Sequence, residues 1–94
     1  MALQAVLKAA ADPMRIEILN LLKKGSLSAG EISSHFDVSR AAISQHLAIL
    51  KEAGLVSSRR EGKFVIYEIN ASVFEEVIVW FRSLAGGSGD GEVG

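Results

Sequence analysis

Cysteine is absent from this chain, and its absence removes three kinds of chemistry at once. There is no disulfide framework, no thiolate metal site and no cysteine nucleophile. Long apolar runs are missing too. The longest stretch of bulky apolar residues, Val77–Phe81, is five residues, against roughly 20 needed to span a bilayer. Met1–Ala11 has no basic leader and carries Lys8 at its middle, which makes a poor secretory signal. Histidine is limited to His35 and His46, too few for a transition-metal site, which usually needs three or four soft or imidazole ligands. No glycine-rich phosphate loop and no Cys/His pair occur. Ser34–His35 and Ser44–His46 are neighbours in sequence, but on a helix they do not make a nucleophile, a base and an orienter. Neither an enzyme nor a cofactor or metal site is expected.

What is present describes a small folded domain. Ninety-four residues, 49% apolar and 22% charged, suit one soluble domain, expected in the cytoplasm. Net charge is −1, yet the charges are unevenly placed. Residues 1–38 cancel, residues 39–67 carry +3, and residues 68–94 carry −4. A central positive block is the arrangement expected if one face meets phosphate and another does not.

Leu3, Val6, Leu7 and Ala10 repeat at helical spacing, which predicts a short first helix over 2–10. Asp12 reads as an N-cap with Pro13 at the first helical position. Ile16, Leu19 and Leu22, with Ile18 and Leu21 alongside, carry that second helix to Lys23 and Lys24, where Gly25 stops it. Ser28 and Glu31 form a capping box for a third helix of about two turns, ending at Phe36. Ser39 caps a fourth, with the apolar seam Ile43, Leu47 and Leu50, and Gly54 ends it. The period then changes. Leu55–Arg60 and Lys63–Ile69 alternate as two strands joined at Glu61-Gly62, a β-hairpin. A last helix, capped by Asn70 or by Ser72 with Glu75, runs to about Leu84. Residues 1–85 are expected to form one domain, and the glycine-rich residues 86–94 a disordered tail.

Two short helices joined at Phe36-Asp37-Val38 make a helix-turn-helix. With Ile43, Leu47 and Leu50 inward, Ala41, Gln45 and Ala48 point outward, flanked by Arg40, Ser44 and Lys51. Small residues let a helix approach the major-groove floor, Gln and Ser reach base edges, and Arg pairs with guanine or phosphate. Arg59, Arg60 and Lys63 cluster at the hairpin tip, as in a wing that grips flanking backbone. A helix of this composition also suits a plain solvent face, and a charged hairpin tip is often only solvated. A winged helix used as a protein-interaction module is the alternative, its wing cations then serving an acidic partner. The two features in this order favour DNA.

The residues also carry a resemblance. Asp12-Pro13-Met14-Arg15, with Ile18-Leu19 after it, resembles the D-P-x-R opening of the ArsR/SmtB family of bacterial winged-helix repressors. Ser39 through Leu50 resembles the family's recognition helix, and Ala53-Gly54-Leu55-Val56, Arg59–Lys63 and Tyr67 resemble its wing. The likeness covers about residues 3–84 and is greatest to the cysteine-free, SdpR-like autorepressors. It implies a mainly α winged helix-turn-helix: four helices, a two-stranded wing and a C-terminal helix. It further implies a homodimer that binds an inverted-repeat operator and represses transcription, with Ser39, Arg40, Ala41, Ser44, Gln45, His46, Arg59, Arg60 and Lys63 on DNA. Many relatives sense metal through cysteines in the third helix, and here Ala29–Phe36 has none. The signal that releases DNA would then be a small molecule or a protein anti-repressor, if there is one.

The dimer has independent support in the pattern of the last helix. Trp80, Val73, Leu84, Val77, Phe81, Phe74 and Ile78 fall within an arc of about 160°, wider than the roughly 100° a helix needs for its own core. Either this small core uses the whole face or a partner covers the surplus. The expected dimer surface is Leu3, Val6 and Leu7 with Val77, Trp80, Phe81 and Leu84.

Overall fold

The computed structural model describes residues 3–86. Its order is α1 (Leu3–Ala10), α2 (Pro13–Leu22), β1 (Leu27–Ser28), α3 (Ala29–Ser33), α4 (Arg40–Glu52), β2 (Val56–Glu61), β3 (Phe64–Ile69) and α5 (Ala71–Leu84). The expected tail lies outside the described residues apart from Gly86, which follows α5 at a φ of +84°.

Local chemistry sets most boundaries. Asp12 Oδ1 accepts from the amides of Met14 (2.8 Å) and Arg15 (3.2 Å), with Pro13 opening α2. This helix ends at Leu22, slightly earlier than the sequence suggests, and Lys23 is its C-cap. Of its apolar residues, Ile16 is 45% exposed. The buried pair is Ile18 and Leu22. Ile16 sits two residues from Ile18, about 160° away around the helix.

The Ser28–Glu31 capping box forms in both directions, at 3.1 and 2.8 Å. Helix α3 nevertheless stops at Ser33, short of the expected Phe36. Ser34 Oγ (2.7 Å) and His35 Nδ1 (2.9 Å) both donate to the Glu31 carbonyl. Such side-chain donors compete with the helical ladder, and the chain continues in tighter turns, His35 to Ile32 and Phe36 to Ser33.

Helix α4 ends in a two-bond reversal. The Leu55 amide donates to Leu50 O and the Gly54 amide to Lys51 O, each at 3.0 Å. Gly54 has a φ of +86°; this is the left-handed closure that glycine adopts most readily.

The sheet is antiparallel with order β1-β3-β2. The two wing strands were legible. The third, Leu27–Ser28 pairing with Tyr67 and Ile66, is an addition. The hairpin turn also falls one residue later than expected. Glu61 pairs with Phe64, so Gly62-Lys63 is the two-residue loop. Gly62 has a φ of +61° and Lys63 does not share the positive sign, as in a turn with glycine at its first central position.

The core is filled by Ile18, Ile32, Ile43, Leu47, Leu50 and Leu55, all fully buried. Truncating one of these to alanine costs about 2–5 kcal/mol, a large share of a small domain's stability. Val6 belongs with them. Expected at a partner surface, it is 2% exposed inside the protomer, because the Val6–Ala9 side of α1 packs on the core.

Helix α5 starts at Ala71, so the expected Ser72–Glu75 box does not form. Ser72 lies inside the helix and its Oγ donates to Asn70 Oδ1 (2.9 Å). Val73, Phe74 and Val77 pack on the core, yet α5 has no fully buried residue.

Candidate nucleic-acid interface

The interface is built on α4. Ser39 caps it, its Oγ accepting from the Ala42 amide at 3.1 Å. With Ile43, Leu47 and Leu50 sunk in the core, the remaining geometry of the helix is fixed. Ser39, Arg40, Ala41, Ser44 and Gln45 are all exposed on its N-terminal half. A Cβ on Gly30 would lie 3.8 Å from Arg40 Nη2, so the Arg40 side chain reaches back beside the start of α3.

His46, grouped with these residues by resemblance, sits elsewhere. Its side chain is only partly exposed, and its Nδ1 lies 3.2 Å from Arg15 Nη1. Since guanidinium has no acceptor, His46 accepts. It lies about 100° around the helix from Gln45, on the flank facing α2. Arg15 was missed as a partner of the recognition helix. No local pattern reports a contact spanning 31 positions.

The wing cations are not equivalent. Arg59 donates from Nε to Glu61 (2.8 Å) and from Nη1 to Glu68 (3.2 Å). The Glu61 hydrogen bond, followed by its charge and by Glu68, holds Arg59 protonated even more firmly than usual. Arg60 and Lys63 make no ion pair among the described residues, where both such pairs belong to Arg59. Lys63 Nζ lies 5.5 Å from the centre of the exposed Phe64 ring. The free positive charge of the wing is therefore at its tip, on Arg60 and Lys63.

A second surface runs along α5. Phe81 (53% exposed), Leu84 (63%) and Ile78 leave much apolar area uncovered, and Trp80 meets Phe81 edge-on at 5.0 Å. Of the expected dimer residues, Leu3, Leu7, Val77 and Trp80 are at least partly accessible as well. Among the described residues no three His, Cys, Asp or Glu cluster as a metal ion would require. No helix there is long and apolar enough to cross a membrane.

The family described as "Bacterial regulatory protein, arsR family" matches residues 12–58, from the cap of α2 into the wing. The chain belongs to the arsR family. As an arsR-family protein it is a DNA-binding transcriptional regulator and not an enzyme. It is 47% identical over 75 residues to the transcriptional repressor SdpR of Bacillus subtilis, covering 80% of this chain and 83% of that protein. It is 41% identical over 73 residues to the transcriptional activator HlyU of Vibrio cholerae, covering 78% and 68%. A solved structure described as a possible transcriptional regulator for arsenical resistance superposes with a TM-score of 0.75. That match is at 38% identity and covers 83% and 81% of the two chains. The mainly helical winged fold is thus shared with that solved structure.

Proposed function

We propose that this arsR-family protein is a repressor that binds an imperfect inverted repeat as a homodimer, including one at its own promoter in the cytoplasm. The observation that carries the reading is the exposed α4 face of Ser39, Arg40, Ala41, Ser44 and Gln45 beside the free cations Arg60 and Lys63. Gln45 and Ser44 can reach base edges, Arg40 a guanine or a phosphate, and the wing tip the flanking backbone. His46 acts from behind, through Arg15.

Leu3, Leu7, Val77, Trp80, Phe81 and Leu84 would pair around a two-fold axis, with Val6 withdrawn into the core. Such a dimer places two recognition helices about 34 Å apart, one turn of DNA. Likeness to a named repressor favours repression over activation.

The test is a gel shift on the DNA upstream of the protein's own coding region, followed by footprinting. A protected pair of half-sites one turn apart supports the reading. Gln45→Ala should cost about 1–3 kcal/mol at that site and little on unrelated DNA. Equal losses on both DNAs would take Gln45 off the bases, and no protected site would remove the autorepressor.

A further inference from the structure

Between α1, α2 and the C-terminal half of α4 lies an open cavity of about 330 Å³, within the roughly 300–1,000 Å³ of small-ligand sites. Its apolar lining is Ala5 and Ala9 from α1, Ile49 from α4, and Ala53 at the C-cap of α4. Three alanines at a helix junction leave the gap open where larger side chains would fill it. Lys8 and Arg15 stand at the edge, opposed by one carboxylate, Glu52. None of the three takes part in an ion pair among the described residues. Two cations and one anion over an apolar floor give a lining of +1. That complements a small carboxylate with a hydrocarbon body.

The location connects the cavity to the site without obstructing it. Ala5 faces about 160° away from Leu7 on α1, so the proposed dimer surface leaves the opening clear. At the C-cap of α4, still in helical conformation, Ala53 lies on the same flank as His46, about 80° from Gln45 and the outward face.

Arg15 joins the two places. Its Nε donates to the Ala9 carbonyl (2.6 Å) and its Nη1 to His46 Nδ1 (3.2 Å). The guanidinium that lines the cavity is thus the one bonded to the residue next to Gln45. A carboxylate offers that guanidinium a charge-assisted, two-pronged partner, stronger than a neutral imidazole nitrogen.

We propose that this cavity binds a small apolar monocarboxylate, which pairs with Arg15 and Lys8, draws Arg15 from His46 and lowers operator affinity. The effect on DNA rests on the function proposed above; binding to the cavity does not.

The experiment uses the full chain with octanoate and phenylacetate as probes, and octanamide and phenylacetamide as uncharged controls. At millimolar concentration at least one carboxylate should raise the melting temperature while its amide does not. The same carboxylate should weaken operator binding by about five-fold or more, the usual range of allosteric coupling. Ala5→Leu, at an exposed helical position, should fill the cavity and abolish both responses, and Lys8→Gln should weaken binding of the probe. A melting shift retained in Ala5→Leu would put the probe elsewhere and overturn the proposal. So would no response to either carboxylate in the unmodified protein, and a melting shift without a change in operator affinity would overturn the coupling. Should the free protein bind no operator at all, the DNA reading fails instead, and the melting shift still decides the cavity.

Discussion

Asn70 donates from Nδ2 to the carbonyl oxygen of Gly54 at 3.0 Å. Its amide meanwhile donates to the Leu55 carbonyl, also at 3.0 Å. One residue thereby ties the end of the recognition helix to the start of α5. Asn70→Ala should lower stability by about 1 kcal/mol, seen as a lower denaturant midpoint. Gly54→Ala should cost about 1–2 kcal/mol from its positive φ, because the added Cβ would meet Val73 only at an ordinary 3.7 Å. A neutral result for both would mean that this junction contributes little to stability.

The wing should divide by charge pairing. Arg60→Ala and Lys63→Ala should each flatten the slope of log K against log salt by about 0.9. Arg59→Ala should change it less, since Glu61 and Glu68 already neutralise that cation. Titrations on nonspecific DNA at several salt concentrations would show this. Equal slopes for all three would mean that the carboxylates let Arg59 go on binding.

Phe81→Glu places a charge in the exposed apolar strip of α5. Sedimentation should then report a folded monomer whose affinity for a two-half-site operator collapses. A dimer that keeps its operator affinity would move the interface off α5, and Trp80→Glu serves as the second probe of the same strip.

Acid should loosen the start of α2. The Arg15 amide, then the Met14 amide and the Arg15 charge, outweigh desolvation and hold the Asp12 carboxyl below its ordinary value of 3.8. A depressed folded value stabilises the fold above the unfolded value, and that contribution is lost as pH falls through the folded one. Asp12→Asn keeps an acceptor but cannot titrate, so its melting temperature should fall less steeply below about pH 4. Parallel acid limbs for the two proteins would remove Asp12 from the acid response.

What the sequence disclosed was what neighbours decide. The Asp12, Ser28 and Ser39 caps and the inward Ile43, Leu47 and Leu50 all follow from residues within a few positions. What it hid depends on distant partners. Leu27–Ser28 is too short to carry a period and becomes a strand only against Tyr67 and Ile66. Ser72 and Glu75 fit a capping box, but α5 already begins at Ala71 beneath an Asn70 anchored to Gly54. Val6 and Leu7 look alike in sequence, and only packing sends the first to the core. His46 and Arg59 were grouped with the DNA-facing residues, although one meets Arg15 and the other two glutamates.

The third strand sets the reach of the hairpin. Ser28 caps α3 and also pairs with Ile66, directly across from Arg59 on β2. Only Val65 and Phe64 of β3 and Lys63 of the loop overhang that fulcrum, about 10 Å at roughly 3.3 Å per residue. Arg60 rides on the overhang with Lys63, whereas Arg59 sits at the pivot. Because Ser28 both pairs there and caps α3, a displacement of the wing tip should be felt at the start of α3. Along one strand of a duplex, phosphates recur about every 3.4 Å of rise on the helix axis. In the proposed complex, an overhang laid along that axis would reach past about three phosphates, and the flanking footprint of each half-site should extend no further.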